Sequence, residues 1–259
     1  MGSAIIRRLA NIEVECIGLS RSKASGLNSV ANYSESPKAD CLIHCAENSN
    51  RREVNDMGSL IEAEALDTLD KLLANDYRQV IYMSSAVLYG DQGSTLRKIS
   101  DPVEVVDSYT RIKFESEKKI LDHGGTVIRL ANLYGPAMAT SNVLSHILRQ
   151  LDGRSAIRVQ SLEPVRDFLY VDDAALAVCE ALQKNARGIY NVGSGIGTSI
   201  LELISMLQHL TGTQQKVVAY GVEKSLSQLV LDIEHTKRDL GWTPRTCLKD
   251  GVRKLINAY

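Results

Sequence analysis

The feature that most constrains this chain is the regular alternation of short apolar runs with stretches of helical periodicity. Cys41-Leu42-Ile43-His44-Cys45-Ala46, Val80-Ile81-Tyr82-Met83-Ser84-Ser85, Thr126 to Leu130 and Ile189 to Val192 are four to six residues long and mostly apolar. Runs of that length read as strands buried on both faces. Between them lie helical patterns: Leu60 to Leu73, a helix starting near Tyr109, and Ala174 to Leu182. Strand and helix in alternation predict an α/β fold with a doubly wound parallel sheet and right-handed crossovers. At the N-terminus, residues 3–9 predict a short helix with Ile5, Ile6 and Leu9 facing inward. A strand from Val14 to Leu19 follows, ending in Ser20-Arg21; residues 22–38 are loop-like, with a weak strand at Ser29 to Tyr33.

After about residue 135 the rhythm changes. A helix is predicted from Val143 to Leu151 and a strand near Ile157 to Val159. Asp172 and Asp173 stand where they could cap the helix Ala174 to Leu182. Thr198 or Ser199 caps a helix running through Leu210, which Gly212 closes. The tail reads as two short helices around Gly241-Trp242-Thr243-Pro244, with Trp242 as a core plug of a small lobe. No linker interrupts the chain. Its 259 residues suffice for one sheet domain, 1–135 plus about 165–192, and a smaller C-terminal substrate-binding lobe, about 136–164 plus 193–259.

Composition narrows the partners. The net charge is −1, so the chain carries no electrostatic footprint for nucleic acid or an anionic membrane. No apolar run reaches membrane-spanning length and no signal-peptide pattern opens the sequence. The five cysteines form no Cys-x-x-Cys, and no cluster has metal-ligand spacing. Small buried cysteines in a reducing compartment are expected, and a cytoplasmic location with them.

The chemistry concentrates on three residues. Ser85 ends an apolar strand, and in open α/β sheets ligands bind at that carboxyl edge. Tyr109 and Lys113 are four residues apart on one helix, hence on one face. A hydroxyl, a phenol and an ammonium can handle a proton on a substrate alcohol or carbonyl. Lys113 would favour the phenolate and lower the Tyr109 pKa from about 10, making Tyr109 a general acid and base near neutrality. A Tyr-x-x-x-Lys also occurs at Tyr220 and Lys224, without a serine-ended strand just before it, so context singles out Tyr109. His44 reads as a packed strand residue.

These residues sit in a longer series. Asp40-x-x-Ile43-His44-x-Ala46, Ser84-Ser85-Ala86-Val87-Leu88-Tyr89-Gly90, Tyr109-x-x-x-Lys113, Arg129-Leu130-Ala131-Asn132-Leu133-Tyr134-Gly135-Pro136, Arg166-Asp167-Phe168, Asn191-Val192-Gly193-Ser194-Gly195 and Leu240-Gly241-Trp242-x-Pro244 follow in order. Together they resemble the extended short-chain dehydrogenases/reductases, in the NAD-dependent epimerase/dehydratase group acting on nucleotide sugars. The resemblance covers nearly the whole chain and implies a Rossmann-like doubly wound parallel sheet. It implies NAD(P) as cofactor, a hydride exchanged at a sugar carbon, and a nucleotide-sugar epimerase or 4-ketoreductase. It places Ser85, Tyr109 and Lys113 as the catalytic set, with Gly2, Ser20, Arg21, Ala46, Ser84, Tyr109 and Lys113 around the cofactor. Asn132 and Arg166 would contact the nucleotide diphosphate, the arginine fork suiting phosphate oxygens. The family also implies a homodimer through the Leu60–Leu73 and Tyr109 helices.

The chain departs from that pattern in five places. The family opens with a strand and Gly-x-x-Gly-x-x-Gly, whose glycines let backbone approach a pyrophosphate; here Met1-Gly2-Ser3 stands where the last glycine falls. The strands flanking the first one are then expected to expose unpaired backbone, with cofactor affinity reduced. An in-frame strand and Gly-x-x-Gly are expected upstream of the Met1 codon; the alternative is a truncated or non-catalytic binding protein on the same fold. Arg21, where an acidic residue would bind the ribose of NAD, favours NADP. Ala86-Val87 replaces the acidic pair of sugar 4,6-dehydratases, which excludes dehydration. The segment from Ser22 to Asp40 is too short for the usual helix between strands, and Lys224 stands where many relatives hold a phosphate-binding arginine.

Overall fold

The computed structural model describes residues 1–12, 14–21, 27–221 and 227–257. Its helices are α1 Gly2–Ala10, α2 Arg51–Met57, α3 Ser59–Leu73, α4 Ser108–Asp122, α5 Val143–Leu148, α6 Val171–Gln183, α7 Ile200–Thr211, α8 Glu234–Leu240 and α9 Leu248–Ile256. Its strands are β1 Leu19–Ser20, β2 Asn28–Ser29, β3 Cys41–His44, β4 Gln79–Ser85, β5 Thr126–Leu130, β6 Asn132–Tyr134, β7 Ile157–Val159, β8 Val165–Tyr170, β9 Gly188–Val192, β10 Gly197–Ser199, β11 Val217–Ala219 and β12 Gln228–Leu229.

The main sheet is parallel, in the order β3-β4-β5-β9. Strand alternation explains its two covered faces. Ile81 and Met83 of β4 join Ile5 and Leu9 of α1 and the alanine-rich α6 in one core. Val80 and Tyr82 of the same strand pack against Leu69 of α3 and Ile120 of α4 in the other. The α/β expectation therefore holds strand by strand. The β1–β2 pair forms a separate two-stranded sheet. The strand predicted from Val14 to Leu19 shrinks to Leu19–Ser20, because a strand is held by ladder partners and among the described residues only Asn28–Ser29 supplies them. On β3, Cys41, Leu42 and Ile43 stay partly exposed.

A second body of structure grows from the carboxyl edge. Strand β8 carries β6 and β12 in parallel and β10 antiparallel. Leu144, Ile147, Phe168, Leu203, Leu207, Val252 and Leu255 form its core. Trp242 is not part of it. The ring is 1% exposed within the core shared by α1, β4 and α6, and its Nε1 donates to the Asp173 carbonyl at 3.0 Å. The reading of Trp242 as a plug of the small lobe is corrected accordingly. Asp172 and Asp173 do not cap α6 either, since Tyr170 occupies the N-cap and no side chain caps it. Asp172 instead pairs with Arg7 at 2.6 Å, and Asp173 accepts from the Thr246 amide at 2.8 Å. Among the described residues no helix is long and apolar enough to cross a membrane.

Candidate active site

Helix α4 is started by local chemistry. Asp107 is its N-cap and accepts from the Thr110 amide at 2.8 Å, while Thr110 Oγ1 accepts from the Asp107 amide at 3.0 Å. Arg51 and Asn55 of α2 hold the far oxygen of Asp107 at 2.7 and 3.0 Å. The Asn55 side chain also accepts from the Tyr109 amide at 3.0 Å. The first turn of α4, and Tyr109 with it, is thus locked before any ligand arrives. The tyrosine is 8% exposed and packs with Val54 and Ile112.

Four residues on, Lys113 is 6% exposed. Its Nζ donates to the Met83 carbonyl at 2.8 Å and pairs with Glu47 at 2.8 Å. It lies 5.8 Å from the Tyr109 ring centroid and 5.0 Å from that of Tyr82. Burial opposes the ammonium charge, but Glu47 and Tyr109 more than offset it, so the Lys113 pKa lies above the ordinary lysine value. One further turn on, Glu117 ties α4 to the sheet. It accepts from Ser84 Oγ at 2.5 Å and from Arg129 Nε and Nη2 at 3.0 and 2.7 Å. Tyr109, Lys113 and Glu117 form one stripe at four-residue spacing.

The two adjacent serines take opposite faces of β4, as strand geometry requires. Ser84 turns to α4 and Glu117. Ser85 stands at the strand end, where its hydroxyl accepts from the Val87 amide at 3.3 Å.

A groove of about 1470 Å³ runs along this edge. Ser85, Tyr109, Lys113, Asn132 and Arg166 all line it, as do Gly2 and Ser84. A smaller cavity adjoins it, lined by Arg21, Ala46, Tyr109 and Lys113. Ser20 is engaged in the β1–β2 pairing, its carbonyl accepting from the Val30 amide at 3.0 Å. Gly2 sits at the start of α1; a Cβ there would make an ordinary contact with Sγ of Cys45, just past β3, at 3.4 Å. Asn132 donates to the Asp167 carbonyl at 3.3 Å.

Two predicted anion contacts are engaged by acids. The Arg166 guanidinium pairs with Asp91 at 2.8 Å and donates to Ser227 Oγ at 2.7 Å. Arg21 pairs with Glu64 at 2.9 Å and lies 5.3 Å from the Tyr33 ring centroid. Lys224 lies outside the described residues. Asp167, beside Arg166, is a brace: it accepts from the Ser194, Gly195 and Leu231 amides at 2.7, 3.1 and 3.3 Å. A Cβ on Gly193 would collide with its carboxylate, so this turn needs glycine. Burial pushes the Asp167 pKa up despite those donors. His44 is packed as expected, stacked on Tyr82 at 5.8 Å between centroids.

Sequence reasoning missed Glu47, Asn55, Asp91 and the Glu117–Arg129 pair. The Asp107-x-x-Thr110 pattern around Tyr109 is a readable cap. Glu47 has no such signal. Among the described residues, no group of His, Cys, Asp and Glu could hold a metal ion.

Comparison with known proteins bears on this geometry. The sequence is 24% identical over 196 residues to the dTDP-4-dehydro-6-deoxyglucose reductase of Escherichia coli, covering 73% of this chain and 61% of that one. The chain thus spans less than two thirds of that relative's length. The fold matches a UDP-glucose 4-epimerase of Thermotoga maritima solved with UDP-glucose, with a TM-score of 0.85 and 21% identity, over 99% of this chain and 94% of that one. It also matches the UDP-glucose 4-epimerase of Thermus thermophilus in complex with NAD, with a TM-score of 0.84 and 20% identity, over 99% and 94%. The model of the NAD dependent epimerase/dehydratase family matches residues 1–193, which contain the Ser85 strand, Tyr109 and Lys113 in their grooved setting; the chain belongs to that family.

Proposed function

We propose that the chain is an NAD(P)-dependent nucleotide-sugar enzyme, a 4-epimerase or a 4-ketoreductase. The observation that carries this is the convergence of Ser85, Tyr109 and Lys113 on one groove that also holds Asn132 and Arg166. The groove's size suits a dinucleotide beside a nucleotide sugar. The residues present fit the dinucleotide: Gly2 leaves the start of α1 without a side chain on the groove, Ala46 adds little bulk beyond the end of β3, and Lys113 retains a donor beyond Glu47 and Met83. When bound, the nicotinamide supplies the acceptor and donor of hydride. Tyr109 takes the proton from the sugar hydroxyl during oxidation and returns it during reduction. Lys113 holds its ammonium 5.8 Å from the Tyr109 ring centroid and binds the nicotinamide ribose. Ser85 donates to the same substrate oxygen.

In this reading residues 136–164 and 193–259 form the substrate lobe, and Arg166 exchanges Asp91 for a diphosphate. Arg21, half exposed at the cavity rim, exchanges Glu64 for the 2′-phosphate of NADP. Arg21→Ala should then weaken NADP binding more than NAD binding. The exposed Met57, Leu60 and Val106 on and before the helices near the site favour a homodimer; a monomeric mass at micromolar concentration would remove that part.

Incubating the protein with UDP- and dTDP-hexoses, with and without NAD(P)(H), and following the sugars by NMR tests the activity. Interconversion of C4 epimers without net cofactor consumption marks an epimerase. Stoichiometric NADPH oxidation with a 4-keto sugar marks a reductase. Neither outcome, with tight nucleotide-sugar binding retained, would favour a non-catalytic binder, a reading supported by the acids on Arg21 and Arg166.

A further inference from the structure

Glu47 is a carboxylate to which the acid–base reading assigns no task. It is 10% exposed, just past the end of β3. One oxygen pairs with Lys113 Nζ at 2.8 Å and accepts from the Tyr82 hydroxyl at 2.7 Å. The other accepts from Ser116 Oγ at 3.3 Å and lies 3.7 Å from His44 Nε2. An ammonium has three donors. Glu47 and the Met83 carbonyl take two, leaving one for a ligand.

We propose that Glu47 is a positioning residue for this reaction: its carboxylate keeps the Lys113 ammonium charged and fixed between α4 and β4, where it serves Tyr109. The proposal rests on the reading of Tyr109 as acid and base. The physical reason is burial. An ammonium removed from water is disfavoured unless an anion faces it. The groups around the pair are His44 from β3, Cys45 beside it, Tyr82 from β4, Tyr109 and Glu117 from α4, and Arg129 from β5. Arg21 and Glu64 lie across the small cavity, paired with each other. Glu117 is committed to Arg129 and Ser84 and does not replace Glu47. Burial opposes the Glu47 charge too, yet Lys113 and His44 outweigh it and hold its pKa far below the carboxylate range. Without Glu47, Lys113 keeps the neutral Met83 carbonyl as its hydrogen-bond partner and only the more weakly acting Glu117 as an anion, and sheds its proton more readily. Tyr109 then loses its cation on the alkaline side.

The test reads Lys113 directly. Protein labelled with ¹³C-lysine is titrated by NMR, the Lys113 Cε resonance being assigned by its loss in Lys113→Met. In Glu47→Gln that resonance should titrate at lower pH than in wild type, and Glu47→Asp should restore it toward wild type. Glu47→Ala gives the same reading if the Gln variant does not fold. An unchanged Lys113 titration in the variant lacking the carboxylate overturns the proposal. Turnover of the Gln variant should fall at least about tenfold at alkaline pH with KM for the nucleotide sugar unchanged, as expected for acid–base support alone. Tyr109→Phe is measured in parallel. Activity in that variant removes the acid–base reading, whereas a lost Tyr109→Phe activity with an unmoved Lys113 removes only the role of Glu47.

Discussion

Replacing Glu117 by Gln should destabilise the protein by about 3–5 kcal/mol, the cost of breaking a buried ion pair from one side. The structure sets that magnitude. The side chains of Glu117 and Arg129 are 3% and 5% exposed, and two guanidinium nitrogens reach the carboxylate. Arg129 Nη1 is buried without a hydrogen-bond partner. Burial works against its charge, and Glu117 more than offsets it, holding the Arg129 pKa above its ordinary value. A glutamine keeps one acceptor for Ser84 and Nε, but turns an NH₂ toward Nη2, donor against donor. Arginine stays charged at any practical pH, so the charge remains buried and unpaired. Urea unfolding followed by far-UV circular dichroism measures the loss. With a slope of roughly 3 kcal/mol per molar urea, the midpoint should drop by about 1–1.7 M. Ser84→Ala removes a single hydrogen bond and should cost only about 1 kcal/mol. The double variant Glu117→Leu with Arg129→Met should recover most of the stability, since a buried pair exchanged for apolar groups is often neutral. A cost below about 1 kcal/mol for Glu117→Gln, or a double variant as unstable as the single, would refute the reasoning. Because Glu117 anchors the stripe that carries Tyr109 and Lys113, activity should fall with Glu117→Gln even where folding persists.

Two more outcomes follow from the packing and charges. Gly251→Ala should destabilise by about 1–3 kcal/mol despite alanine's better helix propensity, because an added Cβ would collide with the Tyr134 hydroxyl; Tyr134→Phe should relieve part of that cost in a double-mutant cycle by urea unfolding. The Glu47 pKa is depressed on folding, so its contribution to stability is present above the ordinary carboxylate pKa near 4.5 and is lost as pH falls below it; the stability of Glu47→Gln should decline less steeply with acid over that window.

Elements whose signals are local were legible in the sequence. Ser199, one of the two caps read for α7, is the one used, with a reciprocal Glu202 contact, and Gly212 closes the helix at φ 70° as read. The main strands followed from their apolar runs, and Tyr109, Lys113 and Ser85 from spacing and position. Helix α2 was missed because only Val54 among its seven residues is buried, so it carries no apolar stripe. The strand at Val14 was overestimated because propensity cannot supply a ladder partner. The acids that meet Arg166, Arg21 and Lys113 were invisible for another reason. Asp91 is 75 positions from Arg166, Glu64 is 43 from Arg21 and Glu47 is 66 from Lys113, so only the fold juxtaposes them.

In the proposed function Tyr109 moves the proton at the substrate oxygen. The most direct measurement is turnover of Tyr109→Phe with its nucleotide-sugar substrate, beside the affinity of that variant for the same nucleotide sugar and its melting temperature. A loss of about 10²–10⁴-fold in kcat at unchanged affinity and stability is expected, the scale of a general acid and base removed. Turnover close to wild type in a folded Tyr109→Phe protein would contradict the account.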